Sequence, residues 1–236
     1  MIVVVLGMHR SGTSAVANVL HHLGVNMGDH LFEANRWNTQ GYYEDVDFFD
    51  VNVALFHAAG GHWGDPPGFS AIWETGAWFV PQMTQIVRWK ERARAVWGWK
   101  DPRTVITMPV WWEAMQQVGI QDVRVVRTVR SQWGMLQSLA KRAREASALA
   151  VEVGEEDAGL AEMATWGNDR WAALIHEYEL RVLQFLGEHP EVACTTVRFE
   201  ELVRAETTRE VVSKLAEFVE ADVRLVEGAV EQVVVR

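Results

Sequence analysis

The chain has 236 residues, 49% of them apolar, which is enough to bury a full core and excludes a disordered or fibrous protein. Its 22 basic and 32 acidic side chains leave a formal net charge of −10, which argues against a broad electrostatic grip on nucleic acid or an anionic membrane and makes any anion site local. A lone cysteine, Cys194, allows no internal disulfide and no cysteine-based zinc site, so a reducing compartment, the cytoplasm, is the expected location.

The opening MIVVVLG lacks the basic flank and cleavage site of a signal peptide and is too short to span a bilayer, so Ile2 to Leu6 reads as a buried strand ended by Gly7. Val16, Val19, Leu20 and Leu23 recur at helical spacing and predict a helix over 14–23. From Gly28 to Asp65, turn residues alternate with aromatics around one helical run at 46–57, and GGHWGDPPG at 60–68 reads as loop. An amphipathic helix is predicted over 77–94, then a short strand over 95–99 closed by Pro102. A helix over 104–118 carries Pro109 in its first turn or at a kink.

An apolar strand over 122–129 and a helix over 131–144 follow. The acidic, alanine-rich segment near 145–160 reads equally as a mobile lid or a poorly packed helix end. Trp171, Leu174, Ile175, Tyr178, Val182, Phe185 and Leu186 form an apolar helical stripe broken at Pro190. A strand over 192–197 and an amphipathic helix over 207–220 complete the pattern, leaving the final VVVR open between a strand and the end of a partner-contacting helix.

Short strands alternating with helices, without linker or repeat, predict one α/β domain over residues 1–236: a parallel sheet with helices on both faces and ligands beyond the C-terminal strand ends. Eight of the twelve tryptophans lie between Trp63 and Trp112. Core packing is their ordinary role, but Trp63, Trp73, Trp78 and Trp89 fall in the loop-rich region 28–95, where they are candidates to wall an acceptor pocket.

The turn after the first strand reads Gly7-Met8-His9-Arg10-Ser11-Gly12-Thr13-Ser14. Gly-x4-Gly between a strand and a helix is the geometry in which backbone N–H groups and a helix N-terminus surround a phosphate. Nucleoside triphosphate sites place lysine where this chain has Thr13, so the loop suits a shorter anion, with Arg10 supplying charge and Ser11, Thr13 and Ser14 supplying hydroxyls. The plain alternative is a glycine turn with a helix cap at Thr13.

The loop GMHRSGTS, the phrase Trp97-Gly98-Trp99-Lys100-Asp101-Pro102-Arg103, the pair Arg130 and Ser138-Leu139, and Phe199-Glu200-Glu201-Leu202 together resemble the sulfotransferases that use 3′-phosphoadenosine 5′-phosphosulfate (PAPS), in their bacterial form. The resemblance implies a P-loop-like sulfotransferase fold. It also implies that Arg10, Ser11, Gly12, Thr13 and Ser14 hold the 5′-phosphosulfate and that Arg130 and Ser138 hold the 3′-phosphate. An arginine fork and a hydroxyl beyond a strand end suit that dianion, although Arg127, Arg142 and Arg144 nearby read equally as surface arginines. One departure stands out: the tail from Val223 lacks the late glycine- and arginine-containing loop that many members close over the 3′-phosphate.

Sulfuryl transfer needs a base for the acceptor proton and positive charge at the sulfonate and the leaving phosphate; no metal is required, because hydrogen bonds and cations can stabilise a phosphate leaving group. Lys100, ending a strand, is the candidate cation. Family members use histidine or glutamate as base, so His9, Glu33, Glu44 and Asp45 compete. Glu44 is favoured, because flanking aromatics in Gly41-Tyr42-Tyr43-Glu44-Asp45 would desolvate it and raise its pKa. Alternatively, Glu44 and Asp45 are first-turn acids of the next helix. Asp101 is expected to orient Lys100 or Arg103 from behind. The expected acceptor is a small molecule or a carbohydrate-like one, with neither nucleic acid nor membrane as partner. Two other functions remain open: a P-loop phosphotransferase, disfavoured by Thr13 and by the lack of an acidic magnesium-binding strand end, and a non-catalytic nucleotide-binding module.

Overall fold

Five consecutive apolar residues can be buried on both faces only inside a covered sheet, and Ile2–Leu6 (β1) occupies the interior of one. The computed structural model describes residues 1–34, 41–148 and 162–234. Trp97–Lys100 (β2) pairs with one edge of β1, Val123–Val129 (β3) with the other, and Ala193–Arg198 (β4) with β3, giving the order β2-β1-β3-β4 with every pair parallel. Register places Val5 beside Lys100, Leu6 beside Arg127 and Val129 beside Arg198. All four strands therefore end at one edge, where Gly7, Asp101, Arg130 and Phe199 begin the loops.

The alternation of β1 divides the core. Val3 and Val5 pack against Thr13–His22 (α1), Ala205–Phe218 (α9) and Val226–Val234 (α10) through Val16, Leu20, Val212, Leu215 and Ala229. Ile2, Val4 and Leu6 face the larger cluster, built with Val46–Ala58 (α2), Phe69–Gly76 (α3), Val80–Ala93 (α4), Thr104–Val118 (α5), Gln132–Ala148 (α6) and Asn168–Glu188 (α7). Most of the tryptophan-rich stretch ends here: Trp97, Trp99 and Trp111 are fully buried, and Trp99 stacks on Phe48 with ring centroids 4.6 Å apart. A short helical turn, Phe199–Leu202 (α8), follows β4.

Two expectations change. The helix expected over 77–94 is α4, which begins only at Val80 with Pro81 in its first turn, where a missing N–H costs nothing, and a further helix, α3, precedes it over Phe69–Gly76, where no helix is expected. The tail is a 3₁₀ turn, Val223–Leu225, followed by α10, whose Val226, Ala229 and Val233 are buried against the core. The segment 145–160 continues α6 as far as Ala148, and the rest of it lies outside the described residues. No helix among the described residues is long and apolar enough to cross a membrane.

One buried ion cluster ties α4 to the start of α2. Lys90 is 2% exposed, and its Nζ lies 2.6 Å from Asp45, 3.0 Å from Asp47 and 3.2 Å from Asp29. Asp45 is also the N-cap of α2, accepting from the Asp47 N–H at 3.0 Å. Burial alone would pull the Lys90 ammonium down, but hydrogen bonds to Asp45, Asp47 and Asp29 outweigh it and hold the group above the ordinary lysine value. Lys90→Met should therefore cost about 3 to 5 kcal/mol in urea unfolding at neutral pH, because buried carboxylates lose their counter-ion. Adding Asp45→Asn should recover part of the loss. A cost below about 1 kcal/mol would mean the cluster behaves as a surface ion pair.

Candidate active site

The loop leaving β1 is shaped by what packs on it. A Cβ on Gly7 would lie 2.0 Å from Thr128 Oγ1 on β3, so only glycine allows the loop this close to the sheet. The same Thr128 hydroxyl bonds Ser11 Oγ at 2.7 Å, and the Ser11 N–H donates to the Met8 carbonyl at 3.1 Å. Ser11, expected to face an anion, is instead a buried clasp between loop and sheet, with both its polar groups used in shaping the turn. Arg10 (φ 69°) and Gly12 (φ 100°) turn the backbone through left-handed conformations, and a Cβ on Gly12 would meet the Phe199 ring at 2.5 Å. Gly12 is the N-cap of α1 and no side chain caps the helix, so the alternative in which Thr13 serves as a cap falls away. The first-turn N–H groups of a helix have no partner within it, and Thr13 and Ser14 of this first turn line the cleft described below.

Arg10 joins the two anion subsites expected from sequence. Its Nε donates to Ser138 Oγ at 2.8 Å, and its carbonyl accepts from the Arg130 guanidinium at 3.1 Å. Arg130 lies 4.5 Å over the Phe199 ring, which also covers Gly12, so Arg10, Gly12, Arg130, Ser138 and Phe199 form one connected group. Burial, then the charges of Arg142 and Arg130, depress Arg10 below the ordinary arginine value. A partly buried guanidinium crowded by two others is an environment that an anion relieves.

Across the loop, Lys100 Nζ donates to Glu44 Oε1 at 2.5 Å, with the two side chains 1% and 9% exposed. Glu44 is buried and shares the cleft with Phe32, Tyr42 and Trp63, but its carboxylate is held by an ammonium, and Tyr43 turns away and donates to Asn18 Oδ1 at 2.8 Å. Gly41 (φ 87°) and Tyr43 (φ 54°) make this bend, and positive φ at a tyrosine is strain that its surroundings must hold in place. The two adjacent acids separate completely. Asp45 caps α2 and pairs with Lys90, as the first-turn reading anticipated, whereas Glu44 points into the site.

Behind Lys100 lies a polar network inside the apolar core. Asp101, fully buried, accepts from the Arg103 N–H and guanidinium, both at 2.9 Å, and from Asn52 Nδ2 at 2.8 Å. Asn52 also donates to Thr104 Oγ1 and accepts from Thr107 Oγ1 and Trp111 Nε1. Asp101 thus orients Arg103, which is further fixed 4.5 Å over the Phe49 ring. Sequence reasoning missed Asn52, because an asparagine within the apolar run of α2 carries no sign of its partners fifty residues away.

These pieces enclose a cleft of about 150 Å³ lined by His9, Arg10, Thr13, Ser14, Glu33, Glu44, Trp63, Lys100 and Arg103, together with Phe32, Tyr42, Pro102 and Arg142. Arg142, weighed from sequence as a surface residue, is part of the lining. Asp101, Ser11 and Gly12 support the lining from behind, while Arg130 and Ser138 reach it through Arg10. Of the four tryptophans weighed for the acceptor wall, only Trp63 lines the cleft; Trp73, Trp78 and Trp89 are half-exposed or exposed elsewhere. Trp63 packs 4.6 Å from the His9 ring, and its carbonyl accepts from Tyr178 at 2.8 Å. On a chain of net charge −10, this lining carries Arg10, Lys100, Arg103 and Arg142 against Glu33 and Glu44. Among the described residues, no group of histidines, cysteines and carboxylates is arranged to hold a metal ion.

His9 Nε2 is buried with no hydrogen-bond partner among the described residues. Burial, and then Arg103, Arg142, Lys100 and Arg10, push the imidazole well below 6.5, so it is neutral at pH 7. The unfolded chain therefore takes up this proton first, and stability declines as pH falls below 6.5. His9→Gln should flatten the acid side of the stability profile by up to about one proton. An imidazole NMR titration placing His9 at or above the ordinary histidine value would overturn the assignment.

No family model, no curated protein and no solved structure matches the chain, so the reading of its function rests on the cleft.

Proposed function

We propose that this chain is a PAPS-dependent sulfotransferase acting on a hydroxyl, or an amine, of a small-molecule or carbohydrate-like acceptor. The observation that carries the reading is the convergence, at one end of a parallel sheet, of an uncapped helix N-terminus and its arginine with a buried lysine–glutamate pair. The residues fit an anionic donor. Arg10 is crowded by Arg130 and Arg142, and His9 Nε2 has a hydrogen-bonding capacity that a sulfonate or an acceptor hydroxyl would meet.

In this reading the acceptor oxygen attacks sulfur, the bond from sulfur to the bridging phosphate oxygen breaks, and the acceptor proton passes to Glu44. Adenosine 3′,5′-bisphosphate leaves with the electron pair of the broken bond. The Lys100–Glu44 contact links the two charge changes. As Glu44 takes the proton its hold on the ammonium weakens, and Lys100 becomes a stronger donor toward the leaving oxygen as negative charge develops there. Asp101 and Asn52 keep Arg103 in place, so the cation charge is preorganised rather than recruited during the reaction.

Lys100→Ala should lower turnover by about 10² to 10³-fold with donor affinity changed only several-fold, and Glu44→Gln should cost about 10²-fold or more. If Glu44→Gln is near wild type while His9→Gln is inactive, the base is His9. Because the two residues act as a unit, Lys100→Ala with Glu44→Gln should be far less than the product of the single losses.

Calorimetry tests the nucleotide. Adenosine 3′,5′-bisphosphate should bind about ten- to a hundredfold more tightly than 5′-AMP, the value of one charge-assisted arginine–phosphate contact, and Arg130→Ala should erase most of that difference. Equal affinity for the two nucleotides, or tight magnesium-dependent ATP binding, would overturn the proposal in favour of a phosphotransferase.

A further inference from the structure

A second opening lies among α3, α4 and α5, and none of its lining residues lines the candidate active site. It is a groove of about 350 Å³ formed by Trp73, Val80, Pro81, Val110, Glu113 and Gln117. One glycine shapes it: a Cβ on Gly76 would lie 2.4 Å from Val110 Cγ2, so α3 rests directly on α5. Trp73, three residues earlier on α3, borders the gap beside that contact and is 50% exposed, which leaves indole surface available to a ligand.

The lining holds one charged group, Glu113. Its partner is the Gln117 amide, whose Nε2 donates to Oε1 at 3.0 Å, and among the described residues no cation pairs with it. Gln117 is steadied in turn by Thr84, one helix away on α4. A carboxylate oriented by an amide, set in a mostly apolar groove beside an exposed indole, is complementary to an organic cation. The ammonium charge is attracted both to the ring face and to the carboxylate, and its hydrocarbon part meets the apolar wall. A neutral apolar ligand would bury the carboxylate unmatched, and an anion would be repelled by it.

The geometry points to this groove as a binding site for an alkylammonium or quaternary ammonium group, its charge between Trp73 and Glu113 and its hydrocarbon against Val80, Pro81 and Val110. The site is independent of the transferase reading, since the two share no residue. The cation can belong to a free small molecule or to a modified lysine on a protein partner, and the test distinguishes these sources.

Choline and its neutral carbon isostere, 3,3-dimethylbutan-1-ol, should be titrated into the full chain by calorimetry, alongside a short peptide bearing trimethyllysine. Choline or the peptide should bind at least about tenfold more tightly than the isostere, and Trp73→Ala and Glu113→Gln should each weaken that binding about fivefold or more. Thermal unfolding of both variants should stay close to wild type, since Trp73 is half-exposed and Glu113 makes no ion pair. Tighter binding of the peptide than of choline identifies a protein-borne cation, and the reverse identifies a free one; either supports the site. Equal binding of the isostere, binding undiminished in both folded variants, or no binding of either cation at millimolar concentration overturns it.

Discussion

A lysine ammonium removed from water must meet a carboxylate, and in this protein two consecutive residues meet that requirement for two buried lysines. Glu44 pairs with Lys100 at the end of β2, and Asp45 pairs with Lys90 on α4. The turn just before α2 is thereby pinned from both sides: Glu44 is directed into the cleft while Asp45 is held away from it. Tyr43, in a left-handed conformation and bonded to Asn18 of α1, adds a third anchor. The Glu44 carbonyl also accepts from the Phe32 N–H at 3.0 Å, so backbone and side-chain bonds together hold Glu44 opposite Lys100.

Around that pair, the site is assembled from groups that are each fully occupied on the side away from the cleft. Ser11 clasps β3, Phe199 covers Gly12 and carries Arg130, and Asp101 with Asn52 fastens Arg103. What faces the cleft is an excess of positive charge over Glu33 and Glu44, residues of the first turn of α1, and His9. Such preorganisation places the cost of gathering like charges in the folding of the chain, where the surrounding core can offset it. The tryptophans illustrate the same division of labour. Trp97, Trp99 and Trp111 build the core behind the site, Trp63 forms part of its wall, and Trp73 belongs to a different surface.

Periodicity and punctuation in the sequence indicated the architecture: two apolar runs and two shorter segments near 95–99 and 192–197 read as strands, the glycine-bounded loop after the first, and most of the helices between them. These signals are local, since a buried parallel strand must be apolar throughout and a helix that covers it must be apolar on one face. Local signals also reached Arg10 and Lys100, because loop spacing and strand ends mark where a doubly wound sheet gathers its ligands, whereas His9 and Glu44 entered as base candidates through the family resemblance. What only the tertiary structure decided was which partner each polar group takes. Whether Ser11 faces an anion or Thr128, whether Glu44 lies in an apolar cage or against Lys100, and how Asn52 reaches Asp101 are set by contacts between residues roughly 50 to 120 positions apart. No periodicity encodes such contacts. They arise when the sheet brings four strand ends together and the buried charges and hydrogen-bonding groups gathered there must be matched with one another.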